Sequence, residues 1–345
     1  MSSARLNLVF GASGYIGGHL VPWLLERDER VRATSRNPEV LHARGWEGLE
    51  IDQGDALDPD SLDRVLAGVD TAYYLVHSMA AGDRFPEIDR EAARNFAKAA
   101  ERQSVRRIVY LGGLVPSSPE SAHLKSRRET GDMLRAGTVP VTEIRAGMII
   151  GPGSAAWEVI RDLVNYLPVM ITPRWVRSVS TPIALDNLLL YLTEAPKLDA
   201  TAGEIYDVGG PDVLSYAEIM RRYGKLVGKR PLIIPVPVLT PRLSSYWLRL
   251  VTSVPTNIAR ALIDGLSQDV VADDPRLPEL VPQTLLDFEA SARASMAADR
   301  QHAVTSRWVE GSIACRSFNP NYGYYAMRET RSHTTDASAE ALWVV

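Results

Sequence analysis

Glycine occupies positions 11, 14 and 17, in the run Gly11-Ala12-Ser13-Gly14-Tyr15-Ile16-Gly17. This run lies directly behind the short apolar segment Leu6-Asn7-Leu8-Val9-Phe10. No other feature restricts the fold as strongly. The apolar segment has the length of a strand, and Gly14 to Arg27 carries Ile16, Leu20, Trp23 and Leu24 at the spacing of one helix face. A strand that passes into a helix within a few residues needs a residue free to take positive φ. Bare glycines also let a phosphate approach the backbone, and the amino end of the helix offers unpaired N–H groups and a partial positive charge. Strand, glycines and helix together predict a dinucleotide held by its pyrophosphate, with Gly11, Ser13, Gly14, Tyr15 and Ile16 as contact residues.

The alternation continues beyond the first helix. Val31 to Ser35, Leu49 to Ile51, Thr71 to Val76, Arg107 to Leu111 and Val141 to Ile150 read as strands. Asp60 to Ala67, Glu87 to Arg102 and Ala122 to Ala136 read as helices. Strands separated by helices of this length predict an α/β fold, a doubly wound parallel sheet over residues 1–150, with right-handed crossovers. After Gly151 the rhythm loosens and prolines become frequent. Residues 151–320 are expected to form a smaller C-terminal α/β lobe on the substrate side, partly interleaved with the core, with helices at Ser244 to Leu266 and Leu285 to Asp299. Residues 321–345, from the alternating Tyr322 to Met327 onward, read as a strand and the start of a truncated second domain.

Composition excludes several classes. Lysine and arginine total 38 against 42 aspartates and glutamates, a net charge of −4, which does not suit nucleic-acid binding. Cys315 stands alone, and the N-terminus lacks a signal-peptide progression, so a cytoplasmic protein is expected. No apolar run is long enough to span a membrane. Leu243, Tyr246, Trp247, Leu250, Val251 and Val254, flanked by Arg242 and Arg249, form a helical stripe. It suits packing on its own domain, or peripheral contact with a membrane or partner. The six histidines have no short ligand spacing, so no metal is expected. A Walker lysine and a Gly-x-Ser-x-Gly elbow are both missing.

The strand ends refine the ligand. The second strand closes on Ser35-Arg36, where an acidic residue would favour NAD. A hydroxyl and a guanidinium instead suit the 2′-phosphate of NADP, which is expected over NAD. Asp55, in Gly54-Asp55-Ala56, is placed to accept from the adenine amino group or to cap the next helix. Val76 and His77 follow the fourth strand at the carboxyl edge of the sheet, where open α/β folds bind ligands. Glu158 and Arg161 are spaced as an ion pair, and Arg174-Trp175-Val176-Arg177 as a cation–aromatic clamp or a surface loop.

Gly11 to Gly17, Gly54-Asp55, Asn95 and Arg145-Ala146-Gly147 together resemble the extended and atypical short-chain dehydrogenase/reductases of the NmrA-like group. Within it, the chain is similar to a bacterial NAD(P)-binding family through Tyr74 to Met79, His123 to Arg127, Gly153 to Ala156, Pro173 to Arg177 and Thr181 to Leu185. The resemblance implies a Rossmann fold and an NADPH-dependent oxidoreductase acting on a small carbonyl, enone or quinone-like substrate. A non-catalytic NADP(H)-binding regulatory or assembly protein is the alternative. The superfamily's catalytic serine and tyrosine-x-x-x-lysine are absent. Gly112-Gly113 ends the fifth strand, and His123 and Arg127 stand at the tyrosine and lysine spacing, as proton-transfer and ribose-binding candidates.

Overall fold

A computed structural model describes residues 5–78, 84–116, 121–236 and 268–300, all within one unit, Met1–Cys315. The first half alternates as its sequence dictates: β1 (Leu6–Phe10), α1 (Tyr15–Leu25), β2 (Arg30–Ser35), α2 (Glu39–His42), β3 (Glu50–Gln53), α3 (Pro59–Leu66), β4 (Thr71–Tyr74), α4 (Phe85–Arg102), β5 (Arg107–Gly113), α5 (Ala122–Arg135) and β6 (Val141–Ala146). The predicted sixth strand is not continuous to Ile150. It breaks at Gly147-Met148, and β7 (Ile149–Ile150) pairs elsewhere, with β10 (Ile183–Ala184).

A seventh strand that the sequence reading did not mark, β11 (Ile205–Val208), joins the sheet in parallel beside β6. The order is β11-β6-β5-β4-β1-β2-β3. Every pairing in it is parallel. Successive strands run outward from β1 in both directions, so the crevice between β1 and β4 lies where the winding reverses. Because helices cover both faces, the central strands are buried on both sides, and β1 is apolar nearly throughout. Val9, Leu20, Leu24 and Ile144 pack one face together with Leu188 and Leu192 of α7 (Leu185–Glu194). Phe10, Tyr74, Phe96 and Leu134 pack the other, against α3, α4 and α5. Ring centroids of Phe10, Tyr74 and Phe96 lie 4.9 to 6.1 Å apart.

The chain beyond β6 thus returns α7 and β11 to the sheet and builds a separate apolar cluster from what remains. That cluster joins α6 (Ala155–Tyr166), α8 (Tyr216–Leu226) and α10 (Phe288–Arg300) through Trp157, Tyr223 and Phe288. Trp157 is fully buried, donates from Nε1 to Ser295 Oγ at 2.9 Å, and meets the Tyr223 ring edge-on at 5.0 Å. Arg161 pairs with Glu158 at 3.4 Å, as its spacing predicts, and also with Asp299 of α10. Two short strand pairs edge this lobe, β8 (Val169–Thr172) with β13 (Leu232–Pro235) and β9 (Val179–Ser180) with β12 (Leu214–Ser215), and α9 (Arg276–Leu280) precedes α10. The expected helix at Ser244 to Leu266, its apolar stripe, and the expected strand at Tyr322 to Met327 lie outside the described residues.

Candidate functional site

The glycine turn has the geometry its composition requires. Gly11 sits at φ +99°, and a Cβ there would meet Val76 Cγ1 at 3.0 Å and the Leu75 carbonyl carbon at 3.1 Å. A Cβ on Gly17 would come within 2.4 Å of Gly11 O and 2.7 Å of Ala12 Cα, closer than any real contact allows. The amides of Gly11 and Ala12 tie the turn to β2 by donating to Thr34 O at 3.3 and 3.0 Å. Gly14 caps α1 without any side-chain hydrogen bond. Since the first helical bond runs from Gly18 N to Gly14 O, the preceding amides have no partner within the helix. The Gly14 amide also bonds within the turn, to Gly11 O at 3.0 Å, so the amides of Ser13, Tyr15 and Ile16 are the ones left to face a pyrophosphate. Ser13 and Ile16 are partly exposed along the turn. The Tyr15 side chain instead turns into the core, edge-on to His19, and burial pushes its phenol far above the ordinary value. Only its amide remains for a ligand.

At the expected adenine end, Arg36 is exposed, while the Ser35 hydroxyl donates to Asn37 O at 2.5 Å and accepts from Asn37 N at 3.0 Å. Ser35 therefore shapes the bend that carries Arg36 outward. Asp55 does not cap α3, because that place belongs to Asp58, whose carboxylate accepts from Asp60 N. Asp55 accepts from Leu57 N at 2.9 Å, in a turn of its own. Asn95 donates to Ala56 O at 3.2 Å, which fastens α4 to the same loop.

At the carboxyl end of β4, next to the Val76 side chain that meets the glycine turn, His77 enters a chain of short hydrogen bonds. Its Nδ1 lies 2.5 Å from Asp89 Oδ2, and its Nε2 lies 3.0 Å from His123 Nδ1. The two rings bond to each other instead of converging on a common point. Among the described residues no group of histidine, cysteine or carboxylate side chains is arranged to hold a metal. Asp89, in the second turn of α4, is only 3% exposed. It also accepts from Ser78 N at 2.8 Å and Ser126 Oγ at 2.9 Å. Phe85 stands edge-on to His77 at 5.8 Å.

Burial pushes His77 below the ordinary 6.5, against the pull of Asp89. Burial, reinforced by His77 and Arg127, pushes His123 well below it. Burial alone would raise Asp89, but the hydrogen bonds from His77, Ser78 and Ser126 outweigh it and hold the carboxyl below 3.8. Asp89 and Ser126 were not singled out in the sequence, although they complete the array. Arg127, one turn after His123, has a buried Nε with no hydrogen-bond partner among the described residues. Its backbone carbonyl accepts from Tyr110 Oη at 2.9 Å.

Where the superfamily places serine, Gly113 leaves open space at the end of β5, and a Cβ on Gly112 would meet Glu143 Oε1 and Arg145 Cγ at 3.2 Å. Buried Glu143 pairs there with Arg145 at 2.6 Å and with Arg135. Arg177 is exposed in a 3-10 turn, and the side chains of Arg174 and Trp175 lie outside those described. No described helix is long and apolar enough to cross a membrane.

Comparison with known proteins agrees with this geometry. Residues 11–155 match a family described as NAD(P)H-binding. The chain is 33% identical over 241 residues to cinnamoyl-CoA reductase 1 of Petunia hybrida, covering 62% of this chain and 69% of that one. It is 29% identical to (4-alkanoyl-5-oxo-2,5-dihydrofuran-3-yl)methyl phosphate reductase of Streptomyces griseus, covering 65% and 74%. Among solved structures, the Citrobacter sp. triphenylmethane reductase complexed with NADP(H) superposes with a TM-score of 0.69 at 18% identity, over 84% of this chain and all of that one. The Rossmann sheet, the glycine turn, the family match and the cinnamoyl-CoA reductase relative show that the chain belongs to the NAD(P)H-binding family, on a fold shared with the triphenylmethane reductase.

Proposed function

We propose that the chain is an NADPH-dependent oxidoreductase that reduces a small carbonyl, enone or quinone-like substrate, with His123 as the proton-transfer residue. One observation carries this reading. His123 is hydrogen-bonded at 3.0 Å to His77, which stands at the carboxyl edge of the sheet one residue after the Val76 side chain beside the glycine turn. The relatives named as reductases support it. NADP is favoured over NAD because Arg36 stands exposed where an acidic residue would repel the 2′-phosphate.

When bound, NADPH supplies the hydride. The chain supplies the rest. Ser13, Tyr15 and Ile16 would hold the pyrophosphate through their backbone amides, while Gly11 and Gly14, whose amides bond within the turn, keep it free of side chains so that the phosphates can approach. Arg36 takes the 2′-phosphate, with Ser35 shaping its bend. Asp55 and Ala56 border the adenine, and Val76 and His77 border the nicotinamide end. Arg127, whose buried Nε has no hydrogen-bond partner among the described residues, binds ribose hydroxyls on the face it shares with His123. His123 exchanges a proton with the substrate oxygen.

A second reading, a binding protein without turnover, is favoured by Gly112-Gly113 in place of the superfamily serine and by the missing tyrosine–lysine pair. NADPH consumption with a panel of quinones, enones and aldehydes separates the two. Turnover that His123→Ala abolishes, with NADPH affinity kept, supports the enzyme. Tight NADPH binding without turnover across the panel supports the second reading.

A further inference from the structure

We infer that Asp89 and His77 are positioning residues forming a two-imidazole proton relay, which fixes the Nε2 of His123 as the atom that exchanges protons with the substrate. The inference rests on the reductase reading for its use, but not for its existence.

The hydrogen-bond roles follow from the donors and acceptors present. The backbone amide of Ser78 donates to Asp89 Oδ1, and the Ser126 hydroxyl donates to Oδ2. The carboxylate can only accept, so the His77 Nδ1 beside it carries the proton. In the neutral ring His77 Nε2 is then an acceptor, so His123 Nδ1 must donate to it across 3.0 Å. This leaves the His123 Nε2 with a bare lone pair at the end of the chain, on a partly exposed ring. One buried carboxylate thus sets the tautomer of a ring it does not touch.

The same chain moves a proton. With one proton added, both nitrogens of both rings carry hydrogen except His123 Nδ1, which accepts from His77 Nε2, and the cation rests on His77 against the Asp89 carboxylate. When His123 Nε2 gives its proton to the substrate oxygen, the proton between the rings shifts from His77 Nε2 to His123 Nδ1. The pair passes from a charge of +1 to neutral, and one proton has left. Solvent returns that proton to His123 Nε2 after the product departs. In the opposite direction the bare Nε2 takes a hydroxyl proton, and each step reverses.

The charged and titratable groups around the relay come from four elements. Asp89 of α4 stabilises the cation, and Arg127 of α5 opposes it. The phenols of Tyr74 on β4 and Tyr110 on β5 are buried and raised, so they stay neutral.

Asp89→Asn makes a sharp test, because the Ser78 amide decides how the new side chain sits. The amide oxygen must accept from Ser78 N, which turns the NH2 toward His77 Nδ1 and Ser126 Oγ. His77 then carries its proton on Nε2, His123 accepts at Nδ1, and the His123 Nε2 becomes N–H. Both rings change tautomer, and the base is lost.

The experiment is heteronuclear NMR of the ring nitrogens in the cofactor-free full chain. The chain has six histidines, and His77→Gln and His123→Gln assign the two signals. The wild-type protein should show both neutral rings protonated at Nδ1, and Asp89→Asn should move both to Nε2. In kinetics, Asp89→Asn should lower turnover about 10²–10⁴-fold, the usual weight of acid–base catalysis, and displace the midpoint at which reduction falls with rising pH, with NADPH affinity unchanged. Either ring found neutral with its proton on Nε2 in the wild type overturns the relay. So does an Asp89→Asn protein with an unmoved pH profile. If that variant does not fold, the wild-type tautomers alone decide. A confirmed tautomer pair with no turnover on any substrate leaves the relay standing and removes the reductase reading.

Discussion

His123, the proposed proton-transfer residue, has surroundings that keep it neutral. Burial and the nearby His77 and Arg127 lower its pKa well below 6.5. Burial lowers His77 as well, so the singly protonated pair that donates to a substrate oxygen is populated only below 6.5. Reduction should fall as pH rises through a midpoint under 6.5, and the reverse oxidation should rise through the same midpoint, read from kcat/KM profiles in both directions. Replacement by alanine should reduce turnover about 10²–10⁴-fold while NADPH affinity stays the same. A fall in affinity of the same size would place His123 in cofactor binding instead. His77 and His123 also link folding to pH. Their folded pKa values lie below the unfolded value, so the unfolded chain binds more protons, and stability should decline as pH falls through about 6.5, the unfolded reference for histidine. Urea midpoints across that range check this sign.

At the scale of the element, the turn between β1 and α1 depends on close approach of backbone to backbone. Gly17→Ala places a methyl 2.4 Å from Gly11 O, where neither group can yield without moving the turn. It should cost about 1–3 kcal/mol, as overpacking does, and weaken NADPH binding, seen as a lower melting temperature and a larger Kd. Gly113→Ala meets nothing within 4 Å and should leave stability nearly unchanged.

This turn was legible in the sequence because its constraint is local: a strand, three spaced glycines and a helix lie within twenty residues. So were the central strands, whose burial on both faces makes them continuous apolar runs. Asp89 was not legible, since a carboxylate in the second turn of a charged helix reads as surface until β4 and α5 bring His77 and Ser126 onto it. The Ile205–Val208 strand was missed for a related reason. It is four residues long, with Asp207 within it, and only its pairing with Glu143 to Ala146 makes it a strand. Likewise, Gly147-Met148 reads as the interior of a strand until the pairing of Ile149-Ile150 with Ile183-Ala184 shows the chain leaving the sheet.

At the scale of the whole molecule, the sheet holds the glycine turn and the histidine chain at one edge, and the later chain adds α7 and β11 to it before forming its own cluster around Trp157. Trp157→Ala removes a fully buried indole and its bond to Ser295, and should cost about 3–5 kcal/mol, measured as a lower urea midpoint. Because Trp157 belongs to the cluster outside the sheet, the NADPH affinity of the folded fraction should persist.

The central claim is that the bare amides after β1, with Arg36 beyond β2, hold a phosphorylated nicotinamide dinucleotide. Calorimetric titration with NADPH and NADH tests it directly, on the wild-type chain and on Arg36→Asp. The account predicts saturable binding of NADPH tighter than that of NADH, with the preference reversed by the substitution. Absence of binding heat for both dinucleotides in the wild-type chain, at several temperatures, would contradict it.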